Sequence, residues 1–297
     1  MVNRTTQSRI ESLADRYRKL VKGRGHILHD IAIAEIPEMV YNSNAIENST
    51  LTLKDTEDIL LRNLVRKDRD IREIYEAKNL AKIMESLMAD TSRPLNVTLI
   101  LEWHKTLLSG IHDAWAGRFR LGKEWVRIGT HIGANPEFVP SLMEEAVARY
   151  NAKSDDWFLS RIAWFHAEFE TIHPFCDGNG RLGRVLINQQ LMRLGYPPVM
   201  IKNKGKKADY YPLFDRYLST NKADGFTGLF ALLLIESLHK RIAYLTSHRI
   251  VLLSGWAKTA RLNPISVLNK AKRQTIPAFR VREKWMIDAD YELSSEQ

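Results

Sequence analysis

The sequence predicts a mainly α-helical fold with one short β-hairpin and a small basic appendage at its C-terminal end. Three observations predict it. Six segments, 9–22, 70–88, 97–111, 140–151, 158–171 and 226–245, place apolar side chains at three- and four-residue spacing. Only 123–128 (KEWVRI) reads clearly as strand, and Gly129, Gly133, Asn135 and Pro136 behind it turn the chain, so 123–136 is expected to form a hairpin. Around 247–254 a long apolar helix gives way to a shorter, more basic tail. The chain accordingly divides into an N-terminal helical region (1–110), a central core (111–245) and a C-terminal module (250–297).

A chain of 297 residues with 44% hydrophobic content can fill one large core plus an appendage. No apolar run approaches the roughly 18 residues a membrane span needs, and the charged N-terminus lacks a signal-peptide core, so a soluble cytoplasmic protein that avoids membranes is expected. The single cysteine, Cys176, excludes an internal disulfide and a cysteine-based zinc cage. A net charge of +9 favours anionic partners without choosing among nucleotide, nucleic acid and acidic protein.

Residues 171–184 read TIHPFCDGNGRLGR and join two helical patterns; the second begins with Leu182, Val185 and Leu186 and ends at Gly195, Pro197 and Pro198. Gly178 and Gly180 around Asn179 allow a sharp turn whose N–H groups form an anion nest at a helix N-terminus. Arg181 and Arg184, three apart, lie on one helix face and suit capture of polyphosphate oxygens. Asp177 offers a hard oxygen ligand for Mg²⁺ beside the phosphates, and His173 can accept a proton from an attacking hydroxyl. Taken singly, each feature has an ordinary structural explanation: a turn, a solvated face, a packed histidine.

Together they spell HPFxDGNGRxxR, which resembles the signature of the Fic (filamentation induced by cAMP) family. The resemblance runs from about residue 41 to 238 and takes in GRFR at 117–120, the hairpin, YPPV and the tyrosine pair. It implies a Fic-type helical core whose β-hairpin flap holds a target segment by strand addition. The implied activity is protein adenylyltransfer (AMPylation): His173 deprotonates a Ser, Thr or Tyr hydroxyl, which attacks the α-phosphorus of ATP. Asp177 is then the Mg²⁺ ligand, Gly178, Asn179 and Gly180 cradle the α- and β-phosphates, Arg181 and Arg184 bind the outer ones, Phe175 anchors the loop, and Tyr210 and Tyr211 flank the adenine. Self-modification and a homodimer are further outcomes the resemblance allows.

Upstream, residues 43–48 (SNAIEN) fit [S/T]xxxE[G/N], which resembles the inhibitory motif of Fic proteins that carry their own regulator. Ser43, Glu47 and Asn48 are its specified positions. By that resemblance Glu47 pairs with Arg184 and removes the clamp for the γ-phosphate.

The tail predicts two short helices broken at Asn263 and Pro264, then strands at 278–281 and 284–287. The pattern is similar to excisionase-type winged helices. Lys270, Lys272, Arg273, Arg280, Arg282 and Lys284 stand against Glu283 alone, a patch suited to DNA backbone, with protein recruitment or dimerisation as competing uses. For the whole chain, removal of AMP, another donor on the same fold, or a nucleotide-sensing DNA-binding regulator are the alternative functions. His104 and His166 fall on apolar helix faces and read as supports of the core or the motif; Cys176 receives no role.

Overall fold

The computed structural model describes residues 2–129 and 131–293. Among the described residues, ten α-helices build the main body: α1 (Arg4–Val21), α2 (Gly25–Ile46), α3 (Leu53–Arg62), α4 (Ile71–Ala89), α5 (Val97–Leu108), α6 (Val139–Asn151), α7 (Phe158–Ile172), α8 (Asn179–Arg193), α9 (Pro212–Thr220) and α10 (Asp224–Thr246). Between α5 and α6 lies a hairpin of β1 (Arg127–Ile128) and β2 (His131–Ile132), paired antiparallel with Ile128 opposite His131. After α10 come β3 (Ile250–Leu252), α11 (Leu253–Thr259), α12 (Pro264–Lys272), β4 (Phe279–Val281) and β5 (Lys284–Asp288), the strands forming an antiparallel sheet of order β3-β5-β4.

Several helix starts are written locally. Asn3, Asp70 and Asn96 accept backbone N–H groups of the first turns, and Thr52 with Asp55 forms a capping box. Helix α7 is central: Leu159, Ile162, Phe165 and Phe169 are buried, and it packs against α6, α8 and α10. One apolar cluster runs from Ile10 on α1 to Leu238 on α10, so the N-terminal helices and the motif-bearing helices share a core. A second, smaller cluster of Leu253, Trp256, Ala257, Val267, Ala271 and Ile287 holds the C-terminal elements.

Three helices of the body fall neither in the six expected segments nor in the helix expected after residues 171–184: α2, α3 and α9. For α2 the physical reason is burial on every side. Every residue of 35–46 except Tyr41 is buried, so no apolar stripe separates from a polar one, and Pro37 sits inside the helix as a misleading break. The hairpin is also shorter than its sequence suggests. Residues 123–126 are not strand, because Arg118 clamps Glu124 (2.7 Å) and the N–H of Leu121 donates to the same carboxylate (2.8 Å), folding that stretch into a turn. Residue 130 of the expected flap and residues 294–297 of the expected module lie outside the described residues. Among the described residues, no helix is long and apolar enough to cross a membrane.

Candidate active site

His173 follows the last turn of α7 in the left-handed region (φ 51°, ψ 64°), a conformation that costs a non-glycine residue on the order of 1–2 kcal/mol and needs support from its surroundings. Arg120 supplies it. The buried guanidinium donates from Nε to the His173 carbonyl (2.8 Å), from Nη1 to Glu124 O (2.8 Å) and from Nη2 to Ala134 O (2.8 Å) and Ile172 O (3.2 Å). One side chain thus ties the flap to the histidine turn. In the sequence, Arg120 is visible only as the last residue of GRFR (117–120), with no task attached.

The His173 ring meets the carbonyl of Glu170 through Nδ1 (3.3 Å); since a carbonyl can only accept, Nδ1 carries the proton and Nε2 keeps its lone pair. Burial pushes the imidazole down to about 4, Arg120 adds to the lowering, and the Glu170 carbonyl and Glu47 oppose it. At neutral pH the ring is therefore uncharged and able to take a proton.

The turn that follows is braced from inside. Phe175 is fully buried and stacks on His104 (3.6 Å between ring centres), whose Nδ1 accepts from Gly117 N (3.1 Å) and whose Nε2–H therefore donates to Asp177 O (3.1 Å). His104 is motif-supporting, and Phe175 packs inward against it and is not among the residues that line the cavity. The Asn179 side chain also turns inward. It accepts from Phe175 N (2.9 Å) and donates to Phe175 O (2.8 Å), so it shapes the loop, and only the backbone N–H of Asn179 is available to a phosphate. Gly178 needs its positive φ of 84° and the space that Leu107 would deny a Cβ. Gly180 lies within α8 and needs its missing Cβ because Glu47 occupies that space.

The two arginines diverge instead of sharing one face, because each is drawn to a carboxylate on a different helix. Arg181, buried, contacts Asp177 Oδ1 (2.9 Å) and Glu76 of α4 (2.9 Å). Arg184 turns to α2: Nε donates to Ser43 Oγ (2.9 Å), and Nη2 donates to Ser43 O (2.9 Å) and to Glu47 Oε1 (2.7 Å). Asn48 closes this segment in the left-handed region (φ 69°), which explains why the position suits glycine or asparagine. Lys206 fastens the same end of α2 by donating to Ala45 O (2.8 Å), Ile46 O (2.9 Å) and Asn48 Oδ1 (3.1 Å), and Tyr211 donates its hydroxyl to Ile46 O (2.8 Å).

Asp177 accepts from Arg72 of α4 (2.6 Å), from Arg181 and from the N–H of Gly178 (2.6 Å). Its carboxylate is partly exposed at the entrance to α8, and no cluster of three or more His, Cys, Asp or Glu side chains surrounds it among the described residues. One hard carboxylate beside a phosphate nest fits Mg²⁺, which takes few protein ligands, provided Arg72 swings away.

A cavity of about 440 Å³ brings most of these groups together, lined among others by Glu47, Glu170, His173, Gly180, Arg184 and Tyr211. Tyr210 borders it from a buried position, its hydroxyl 2.8 Å from His166 Nε2. Glu170, Arg72, Arg120 and Lys206 are the residues of this region that the sequence reading missed. Glu170 carried a signal, a carboxylate on the apolar face of a helix three residues before His173. It is buried, lies 3.8 Å from His173 Nδ1, and burial pushes it up to about 8, so it is largely protonated at pH 7.

Residues 94–191 match the model of the Fic/DOC family. A protein adenylyltransferase Fic of Drosophila persimilis is 33% identical over 176 residues, 58% of this chain and 34% of that protein, so the chain spans about a third of the curated relative's length. A Fic-domain signalling protein of Bacteroides thetaiotaomicron superposes with a TM-score of 0.70 at 26% identity, covering 80% of this chain and 97% of the other. A Fic family protein of Desulfovibrio desulfuricans, at 20% identity and a TM-score of 0.70 over 99% and 98% of the two chains, shares the fold.

Proposed function

The chain carries a domain of the Fic/DOC family, and on that premise we propose that it transfers AMP from ATP to a Ser, Thr or Tyr hydroxyl of a protein and rests in a self-inhibited state. What carries the proposal is one juxtaposition: a neutral histidine with a free Nε2 and a helix N-terminus open onto the same 440 Å³ cavity, whose arginine is claimed by Glu47.

In the reaction, Nε2 of His173 takes the proton of the target hydroxyl, the oxygen attacks the α-phosphorus, and the bond from that phosphorus to the bridging oxygen breaks to release pyrophosphate. The backbone N–H groups at the start of α8, unpaired within the helix, receive the α- and β-phosphates. Arg184 receives the outer phosphate once freed, and Tyr210 and Tyr211 border the adenine end. Asp177 would hold Mg²⁺, which neutralises phosphate charge when bound; Arg72 keeps that carboxylate paired otherwise. The target lies along the flap (123–136), whose strand edge offers backbone pairing. The 1–110 region then acts as the regulator of a 111–245 catalytic core, with 250–297 as a separate module in a cytoplasmic protein.

Glu47 acts through charge and space together. Its carboxylate neutralises Arg184 and fills the volume over Gly180 where a phosphate would sit. Incubation with radiolabelled ATP and a host lysate tests both claims. Glu47→Gly is expected to raise labelling at least tenfold, and His173→Ala to abolish it in the Glu47→Gly background, general-base loss costing roughly 10²–10⁴ in rate. Equal labelling by wild type and Glu47→Gly would remove the brake; labelling that survives His173→Ala would remove the base.

A further inference from the structure

Across residues 253–282 the chain holds seven Lys and Arg and no Asp or Glu, although the protein as a whole has 35 acidic residues among 297. Two of those cations are spent on the main body: Arg280 pairs with Glu236 of α10 (2.7 Å) and Arg282 with Glu57 of α3 (2.7 Å). They are therefore withdrawn from the basic patch expected at 270–284, because the β4-β5 turn faces the body. The remaining five, Lys258, Arg261, Lys270, Lys272 and Arg273, belong to α11, α12 and their flanking turns.

Helix α12 separates cleanly into two sides. Val267 and Ala271 enter the small core, and Gln274 just beyond is locked by hydrogen bonds to Ala271 O (2.9 Å) and Ala278 O (3.1 Å). Ser266, Asn269, Lys270 and Arg273, at spacing i, i+3, i+4 and i+7, line one surface depression outward, and Ile265 stands 71% exposed at its end. Asn263 rigidifies that end by accepting from the N–H groups of Ile265 (2.9 Å) and Ser266 (3.1 Å). Two of the module's carboxylates have other partners: Glu283 is 3.8 Å from Lys202 of the body, and Asp288 on β5 accepts from Ser247 (2.6 Å).

We propose that this outward face of α12 is a DNA-binding surface that enters the major groove of a duplex. The chemistry fits in three ways. A single helix of roughly 10–12 Å diameter matches the ~12 Å width of the B-form major groove. The stripe offers an amide and a guanidinium, the side chains that read adenine and guanine edges, next to an exposed Ile that suits a thymine methyl. The flanking cations Lys258, Arg261 and Lys272 provide phosphate neutralisation from a stretch, 253–282, that holds no Asp or Glu. Double-stranded RNA fits worse, since its deep, narrow major groove excludes a helix.

The test uses the full-length protein and fluorescence anisotropy with a labelled random-sequence DNA duplex. Wild type is expected to bind at about 50 mM salt and to lose at least tenfold in affinity by about 200 mM. Arg273→Glu and, separately, Ser266→Glu should each weaken binding at least tenfold, both positions being exposed and their folding checked by thermal melts. Lys82→Glu on the exposed side of α4 makes the same change in net charge as Arg273→Glu and should alter affinity less than twofold. The proposal is overturned by no binding at low salt, by equal losses from Lys82→Glu and Arg273→Glu, or by duplex RNA or a protein ligand occupying α12 in preference to DNA.

Discussion

His173 is held in an unusual backbone state by a carbonyl on one side and an arginine on the other, and its titration follows from that confinement. Burial disfavours the imidazolium, so its pKa is lowered to about 4, and the neutral, proton-accepting form persists as pH falls until that value is neared. Glu47 opposes the lowering, so its removal moves the histidine further in the same direction. The transfer rate of Glu47→Gly protein is therefore expected to lack an acid limb near 6.5 and to stay level from pH 8 to about 5.5. A half-maximal point near 6.5 in initial-rate measurements would show that the ring is solvated during turnover. Glu170 belongs to the same picture. Protonated below about 8, it sets no negative charge beside the ring at neutral pH.

At the scale of elements, the C-terminal end of α2 holds Arg184. Ser43 and Glu47 contact the arginine, but what keeps them there is Lys206, whose ammonium satisfies two carbonyls that the end of a helix leaves unpaired. Lys206→Ala is thus expected to loosen the brake and raise basal AMP transfer several-fold while leaving the Glu47→Gly protein unchanged. Unaltered basal labelling in the wild-type background would assign the grip to Ser43 and Glu47 alone. Lys206 was invisible in the sequence because a lysine 22 residues beyond Arg184 has no local pattern linking it to Ala45; the link is a contact across 161 positions. The same applies to Arg72 and Asp177, 105 residues apart. By contrast, α5 and α7 were legible because each buries apolar residues at three- and four-residue spacing, and the HPFxDGNGRxxR turn because its residues are consecutive.

For the molecule as a whole, α2 is seated by a buried ionic cluster in which Glu35 meets both Arg241 (2.9 Å) and Lys240 (2.6 Å) of α10. Glu35→Ala leaves two buried cations without their carboxylate, and the cost of breaking such an arrangement is about 3–5 kcal/mol. Urea unfolding should show that loss as a lowered midpoint, and the brake should weaken with it because Glu47 rides on the same helix. A midpoint within experimental error of wild type would mean that the two cations find solvent and that α2 is held by its apolar contacts.

Local order along the chain was enough to determine the helical class and to single out the glycine turn and the histidine proposed as phosphate site and base, since those depend on periodicity and on neighbouring residues. Tertiary structure alone decided that the Asn179 side chain serves the loop's interior, that Arg181 and Arg184 point to different helices, and that Arg280 and Arg282 are bound to the body. The reason is physical: a charged or amide side chain goes to whichever partner the fold brings within about 3 Å, and that partner is most often distant in sequence.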